Sequence, residues 1–276
     1  WGANLFVHLK RWITGLSALP LLIYLVYMGG VLFNLLVSVG CLICLWEYVR
    51  IVIIADGKKP SNIIVWWGLV ISLVIIWAAY IVGPGIVMVV IAINLLGSAF
   101  FSLFQFRANS GVTDLVRKQI QGIIYIPLLL SFLVLIRNGP QGMIWIFYLL
   151  GIIFAGDVCA LYVGTTLGRH KLCPAVSPGK TVEGSLGGIT ANLVVGAIGK
   201  YYFLPQPSWG LIVLFIVAVG IAGQIGDLFE SELKRVSNMK DSGGLLPGHG
   251  GFLDRIDALL FAAPVAYLFI VYIFKL

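Results

Sequence analysis

The chain has 276 residues, 60% hydrophobic and only 11% charged, with a mean hydropathy of +1.04 and a net charge of +7. Soluble domains carry roughly 25% charged residues, so this chain lacks the polar surface to cover a water-soluble globule. Apolar runs of about 18 or more residues recur, enough to cross hydrocarbon as helix, while the alternating ten-residue segments of an outer-membrane barrel are absent. These features predict an all-α, polytopic integral membrane protein with about nine transmembrane helices.

In chain order, the expected spans are 12–29, 31–50, 63–82, 85–104, 121–136, 143–167, 184–203, 209–226 and 258–275. Lys10 and Arg11 precede the first, as in a signal peptide, but no small-x-small cleavage site follows, so it is read as retained. Cys41 and Cys44 form C-x-x-C inside an apolar span without other ligand types nearby, and are read as packing residues. Gly83-Pro84-Gly85 marks a tight turn. The chain divides into an N-terminal set of about five spans, 1–140, and a C-terminal region, 141–276, whose polar loops 168–183 and 227–257 carry the candidate chemistry. Spaced glycines at 164/168, 184/188 and 220/223/226 suit close helix packing.

Charge separates cleanly across this arrangement. Nine crossings put the termini on opposite sides, and only Arg137, Lys200 and Lys275 of the 18 lysines and arginines fall on the side away from the N-terminus. The positive-inside rule then predicts a cell (inner) membrane protein with the N-terminus and polar loops cytoplasmic and the C-terminus extracytoplasmic. The acids, Glu47 among them, cluster in or beside the same basic segments, although topology does not require it. A cytoplasmic active site is the natural cause.

The longer polar loop begins "GDLFESELKR" and ends "GHGGFLDRID". Asp227 and Glu230 stand at i, i+3, on one face of a helix continuing out of span eight, and Asp254 and Asp257 repeat that spacing at the entrance to span nine. Two helix ends presenting carboxylates could pinch a hard cation such as Mg²⁺, which takes oxygen ligands from one or two carboxylates, water and substrate phosphates. Lys234, Arg235, Lys240 and Arg255 lie among the acids as phosphate donors. The same charges can also be read as solvated pairs, Glu230 with Lys234 and Asp254 with Arg255. Asp227 resists that reading, because it follows an apolar run in which an unpaired carboxylate costs a few kcal/mol. His249 is a candidate phosphate donor or general acid/base, or simply a turn residue; His8 and His170 are read as interfacial.

The shorter loop contains "SPGKTVEG", residues 177–184. Its Pro-Gly-Lys-Thr tempts a P-loop reading, but Pro174 stands where that pattern needs glycine and no strand is expected before it. Ser177, Lys180, Thr181 and Glu183 nonetheless place hydroxyls, a cation and a carboxylate just ahead of a helix N-terminus, itself favourable for anions. A basic loop meeting anionic lipid is the alternative. Asp157 lies inside span six, where an acid is a functional candidate by default or else a hydrogen-bond partner for a neighbouring helix.

The run from Ser231 to Asp257 resembles the signature of the phosphatidate cytidylyltransferase family. Ser231, Lys234, Arg235, Lys240, Asp241, Pro247, His249, Gly250, Gly251, Asp254, Arg255 and Asp257 meet its positions without a gap. The 177–184 run resembles the same family, as does Asp157 with Ala160 and Tyr162 beyond it. The resemblance implies transfer of a cytidylyl group from CTP to phosphatidate with Mg²⁺, metal ligation by Asp227 and Asp254, and phosphate contacts from Lys180, Lys234, Arg235, Lys240 and Arg255. It also implies a homodimer in the membrane. No nucleic-acid partner is expected.

Physical chemistry points the same way. Two polyanions must meet, and metal ions with lysine and arginine cancel their charge without any covalent protein nucleophile. Among rivals, the CDP-alcohol phosphotransferase pattern D-G-x₂-A-R…G-x₃-D-x₃-D is missing. A CTP-dependent lipid kinase would need similar acids and lysines. An organic-anion transporter would need charges near the midplane and repeat symmetry between halves, whereas here the charges gather at one face.

Overall fold

A computed structural model describes residues 19–54, 62–106, 111–204, 206–237, 239, 242–243 and 251–276. Among them, apolar helices follow one another as α1 (Leu19–Met28), α2 (Gly30–Ile53), α3 (Ile63–Ile81), α4 (Pro84–Gln105), α5 (Val112–Asn138), α6 (Gly142–Leu167), α7 (Val182–Phe203), α8 (Trp209–Val236) and α9 (Leu253–Ile273). Eight are long and apolar enough to cross a membrane; α1 is shorter over its described residues. The protein is therefore a predominantly helical, multi-pass membrane protein, as its composition demanded. A two-stranded hairpin, β1 (Lys171–Cys173) and β2 (Ser177–Thr181), is the departure from an all-α expectation.

Several helices outrun their expected spans. α5 begins at Val112 rather than near 121, because Val112, Leu115 and Val116 form a buried stripe among polar residues. The predicted turn at 83–85 is present: Gly83 has φ 108°, which glycine alone adopts readily, and Pro84 opens α4 where its missing N–H costs nothing.

Two compact units emerge, the first containing α1 to α5 with Val236–Arg255, the second Gly139–Arg235 with Ile256–Leu276. In the first, the Arg137 guanidinium donates to the carbonyls of Val26 (2.8 Å) and Tyr27 (2.9 Å), and the Asn138 amide donates to that of Tyr80 (3.3 Å). The C-terminal ends of α1, α3 and α5 thus meet, as alternating crossings require. A buried chain runs from the Ser98 hydroxyl to the Gln119 side-chain oxygen (3.1 Å) and from the Gln119 amide nitrogen to the Asn94 side-chain oxygen (2.9 Å), pairing these atoms away from water. Cys41 and Cys44 are fully buried and unbridged, in keeping with packing.

In the second unit, α6 and α7 lie against each other along their length. Small residues permit it: a Cβ on Gly184 would stand 2.7 Å from the Ala160 carbonyl oxygen and 3.0 Å from the Gly164 Cα. Buried Asn192 is wedged between α6 and α8, where a Cβ on Gly156 or Gly220 would strike its amide at 2.3 or 2.4 Å. At the other end, Trp145, Tyr148, Phe215, Phe269 and Phe274 pack ring against ring, and the Tyr148 hydroxyl donates to the Gly196 carbonyl at 2.8 Å. Replacing Gly184 by valine should push α7 off α6 and destabilise the protein by about 1–3 kcal/mol or more, seen as a lower thermal midpoint in detergent.

Candidate active site

Acids and a lysine of the second unit gather where α6, β2, α8 and α9 come together. α6 contributes Asp157, ten residues before its end at Leu167. α8 contributes Asp227 and α9 contributes Asp257, on helices that approach closely because residue 226 has no side chain. A Cβ there would lie 2.4 Å from the Asp257 carbonyl oxygen. From β2, the Lys180 ammonium reaches within 2.6 Å of the Asp227 carboxylate, both groups only partly exposed. Asp157 interacts electrostatically with Asp227 and Lys180, and buried Asp257 with all three. Among the described residues the cluster thus sets three carboxyl groups beside one lysine, and a further cation would relieve the repulsion between them.

The cluster opens into a cavity of about 370 Å³ whose lining combines polar Asp157, Ser177, Lys180, Thr181, Gln224 and Asp227 with apolar Ala160, Leu161 and Leu172. That volume lies within the roughly 300–1,000 Å³ of small-molecule sites. Gln224 is itself anchored, its amide donating to the Ser185 carbonyl at 3.0 Å while the Ser185 hydroxyl donates to its side-chain oxygen.

The hairpin corrects the expectation that no strand accompanies the Pro-Gly-Lys-Thr run. β1 pairs antiparallel with β2, Lys171 opposite Thr181 and Cys173 opposite Ser177, so residues 178–181 are extended strand rather than a phosphate-cradling loop. Strand geometry is what carries the Lys180 amine to Asp227. Thr181 then ends the strand and caps α7, its hydroxyl oxygen accepting the Gly184 N–H at 3.1 Å. The Glu183 carboxylate turns back to accept the N–H groups of Arg169 (3.1 Å) and His170 (3.2 Å) and lies 2.6 Å from the His170 ring nitrogen. His170, expected to be a lone interfacial residue, is this carboxylate's partner.

The remaining candidates take other places. Glu230 is buried and ion-paired with Lys234 at 2.6 Å, one turn apart on α8. Arg235 donates to the Val176 carbonyl at 3.1 Å, tying the end of α8 to the hairpin turn. Asp254 and exposed Arg255 belong to the first unit, where the Asp254 carboxylate accepts N–H groups from Ser242 and Gly251. Lys240, Asp241 and His249 lie outside the described residues. The motif reading passed over two residues. Asn192 stands beside a small cavity shared with Asp157 and Gln224. Glu47 is a buried acid near the end of α2, which the rarity of acids in apolar spans could have flagged.

Among the described residues no three His, Cys, Asp or Glu side chains form a closed metal cage. Magnesium does not need one, since it is commonly held by one or two carboxylates with water and substrate phosphates completing the shell. The hard oxygen donors of Asp157, Asp227 and Asp257, with their excess charge, fit such an ion.

Apolar helices here bring acids and a lysine to the lining of one cavity in a multi-pass membrane protein. A model of the cytidylyltransferase family matches residues 9–273. A phosphatidate cytidylyltransferase of Bacillus subtilis (strain 168) is 34% identical over 266 residues, 94% of this chain and 96% of that protein. Another, from Synechocystis sp., is 44% identical over 136 residues, 49% of this chain and 46% of that protein. A third, from Staphylococcus haemolyticus, is 37% identical over 136 residues, 49% of this chain and 52% of that protein. The chain belongs to the cytidylyltransferase family and is a nucleotidyltransferase.

Glu183→Gln should weaken the hold on the strand leading into β1. Amide exchange at Arg169 and His170 should quicken while α6 and α7 keep their protection, as measured by hydrogen–deuterium exchange.

Proposed function

We propose that this enzyme transfers the cytidylyl group of CTP to phosphatidate, giving CDP-diacylglycerol and pyrophosphate for phospholipid synthesis. The observation that carries the reading is the Lys180–Asp227 pair, set with Asp157 in the lining of a cavity that also includes Ala160, Leu161 and Leu172. The lipid's phosphate oxygen attacks the α-phosphorus of CTP, a P–O bond forms, and the bond from that phosphorus to the bridging β-phosphate oxygen breaks. Pyrophosphate leaves with the electron pair. No bond to the protein is required.

The chain's own residues serve this step by position and charge. Lys180 offers an ammonium to the phosphates, and Asp227 holds its side chain across the cavity. Ser177 and Thr181 add hydroxyls to the cavity lining. Asp227 and Asp257, with Asp157, would hold Mg²⁺, which when bound cancels charge on the reacting phosphates. Leu161, Leu172 and Ala160 would accept the upper part of the lipid body. Lys234, Arg235, Lys240 and Arg255 are assigned to phosphate or lipid headgroups on the resemblance alone, as are Asp254 to the metal, His249 to proton transfer and a homodimer to the assembly. The charge distribution supports an inner-membrane orientation with the N-terminus and active-site loops cytoplasmic.

The test incubates purified protein with phosphatidate, Mg²⁺ and CTP labelled at the α- or the γ-phosphorus. Transfer places the α-label in a nucleotide-bearing lipid and the γ-label in pyrophosphate; a CTP-dependent kinase acting on a lipid alcohol would move the γ-label to lipid instead. Asp227→Asn and Lys180→Ala should each lower turnover by about 100-fold or more, since both remove electrostatic stabilisation in a site of restricted water. Both should still insert and purify as folded protein. Wild-type rates in either variant would contradict the assignment.

A further inference from the structure

Asn192 lies midway along α7, 3% exposed, in a helix whose other buried positions are mostly glycine. Two neighbouring helices give up their side chains to admit it. A Cβ on Gly156 of α6 would stand 2.3 Å from the Asn192 side-chain oxygen, and one on Gly220 of α8 would stand 2.4 Å from its nitrogen. Among the described residues no donor reaches that buried oxygen. A buried acceptor without a donor lowers stability, and a polar group inside an apolar span is a functional candidate for that reason.

Beside it lies a small cavity of about 20 Å³. Its polar lining is Asn192, Asp157 and Gln224, one residue from each of α7, α6 and α8, and the rest is apolar or glycine. A single water needs about 10–15 Å³ and two to four polar partners. The three residues supply complementary groups. Asn192 offers its oxygen and Asp157 a carboxylate, both acceptors. The Gln224 amide carries two hydrogens, of which one goes to the Ser185 carbonyl at 3.0 Å. With its oxygen already engaged by the Ser185 hydroxyl, Gln224 offers the cavity a donor, which water accepts and a metal ion does not. A water there accepts from Gln224 and donates one hydrogen to Asn192 and the other to Asp157.

Asp157 and Gln224 also line the larger cavity with Lys180 and Asp227, whereas Asn192 lines only the smaller one. We propose that the small cavity holds one water molecule, through which Asn192 acts as a positioning residue for cytidylyl transfer. The water's hydrogen selects one orientation of the Asp157 carboxylate, so its charge does not shift as anionic substrates enter the larger cavity. The proposal rests on the transfer reading given above, and every residue in it belongs to the second unit.

The test is a double-mutant cycle on the full-length protein in detergent, built from Asn192→Leu, Asp157→Asn and the pair. Leucine keeps the approximate shape and removes the acceptor. Its kcat should fall about ten- to a hundred-fold, the scale of a misplaced catalytic group, while the KM for CTP stays near that of the wild type. In the Asp157→Asn background the same substitution should cost nothing further, because the group it acts through is already lost. Thermal midpoints of the four proteins form a second cycle that needs no turnover, and the shift of the pair should depart from the sum of the single shifts. An experimental map that resolves water should show one peak within roughly 2.7–3.2 Å of all three side chains. Should leucine prevent folding, Asn192→Ala takes its place, since it clears both glycines. Unchanged kcat overturns the proposal, as do additive losses, a fall confined to KM, an empty cavity or a bound ion. A wild-type protein that makes no nucleotide-bearing lipid sinks the transfer reading and the role in transfer with it, while the midpoints and the water peak still report on the link between Asn192 and Asp157.

Discussion

A carboxylate brought into the low-dielectric margin of a membrane has to be answered by a cation or by hydrogen-bond donors, because leaving it bare costs several kcal/mol. Each unit meets this constraint in its own way. In the second, the Lys180 ammonium stands against Asp227 with Asp157 and Asp257 in electrostatic reach, and Lys234 answers Glu230 one turn away. In the first, backbone N–H groups and one hydroxyl of the described residues answer Glu47. A lysine can release its partner when a phosphate arrives. A backbone cap cannot leave without unravelling the helix it ends. The first arrangement suits a site that exchanges ligands, the second a support that should not move.

Close helix approach is the other half of the design. Gly226 lets α9 press on α8 beside Asp227 and Asp257, and Gly164 with Gly184 lets α6 and α7 meet just where Thr181 turns strand into helix. Without the apolar attraction that water gives soluble helices, such contacts rely on dispersion and on polar groups satisfied between helices. Asn192, gripped between Gly156 and Gly220, joins three helices directly beneath the acid cluster. Packing and chemistry are thus set by the same few small residues.

Much of this was legible beforehand. Length and apolarity alone located the long apolar helices, because a span has to bury its backbone whatever its side chains, but they missed the polar extensions at the start of α5 and the end of α8. Asp227 stood out because a charge next to a long apolar run needs a reason, and Lys180 because it lies among hydroxyls just ahead of a helix N-terminus. The hairpin did not, since Ser, Pro and Gly at 177–179 read as loop and the residues just ahead of β1 are held by Glu183 from the following helix. The extension of α5 was hidden because its apolar stripe alternates with Asp114, Arg117 and Lys118, and only the packed partner shows which face is inward. Glu47 was legible as an oddity but not as a cap. Its partners lie in a segment no local pattern could join to it, and the acid contributed only to the charge count.

The hold on Glu47 also bears on how the protein is made. A ribosome delivers Glu47 some two hundred residues before the amides that enclose it, and nearly the whole second unit is threaded into the bilayer in between. Until Phe252 and Leu253 emerge, these amides cannot answer that acid. Truncation anywhere before residue 253 should therefore leave an early helix unfinished, a mark by which quality-control proteases could recognise an incomplete chain.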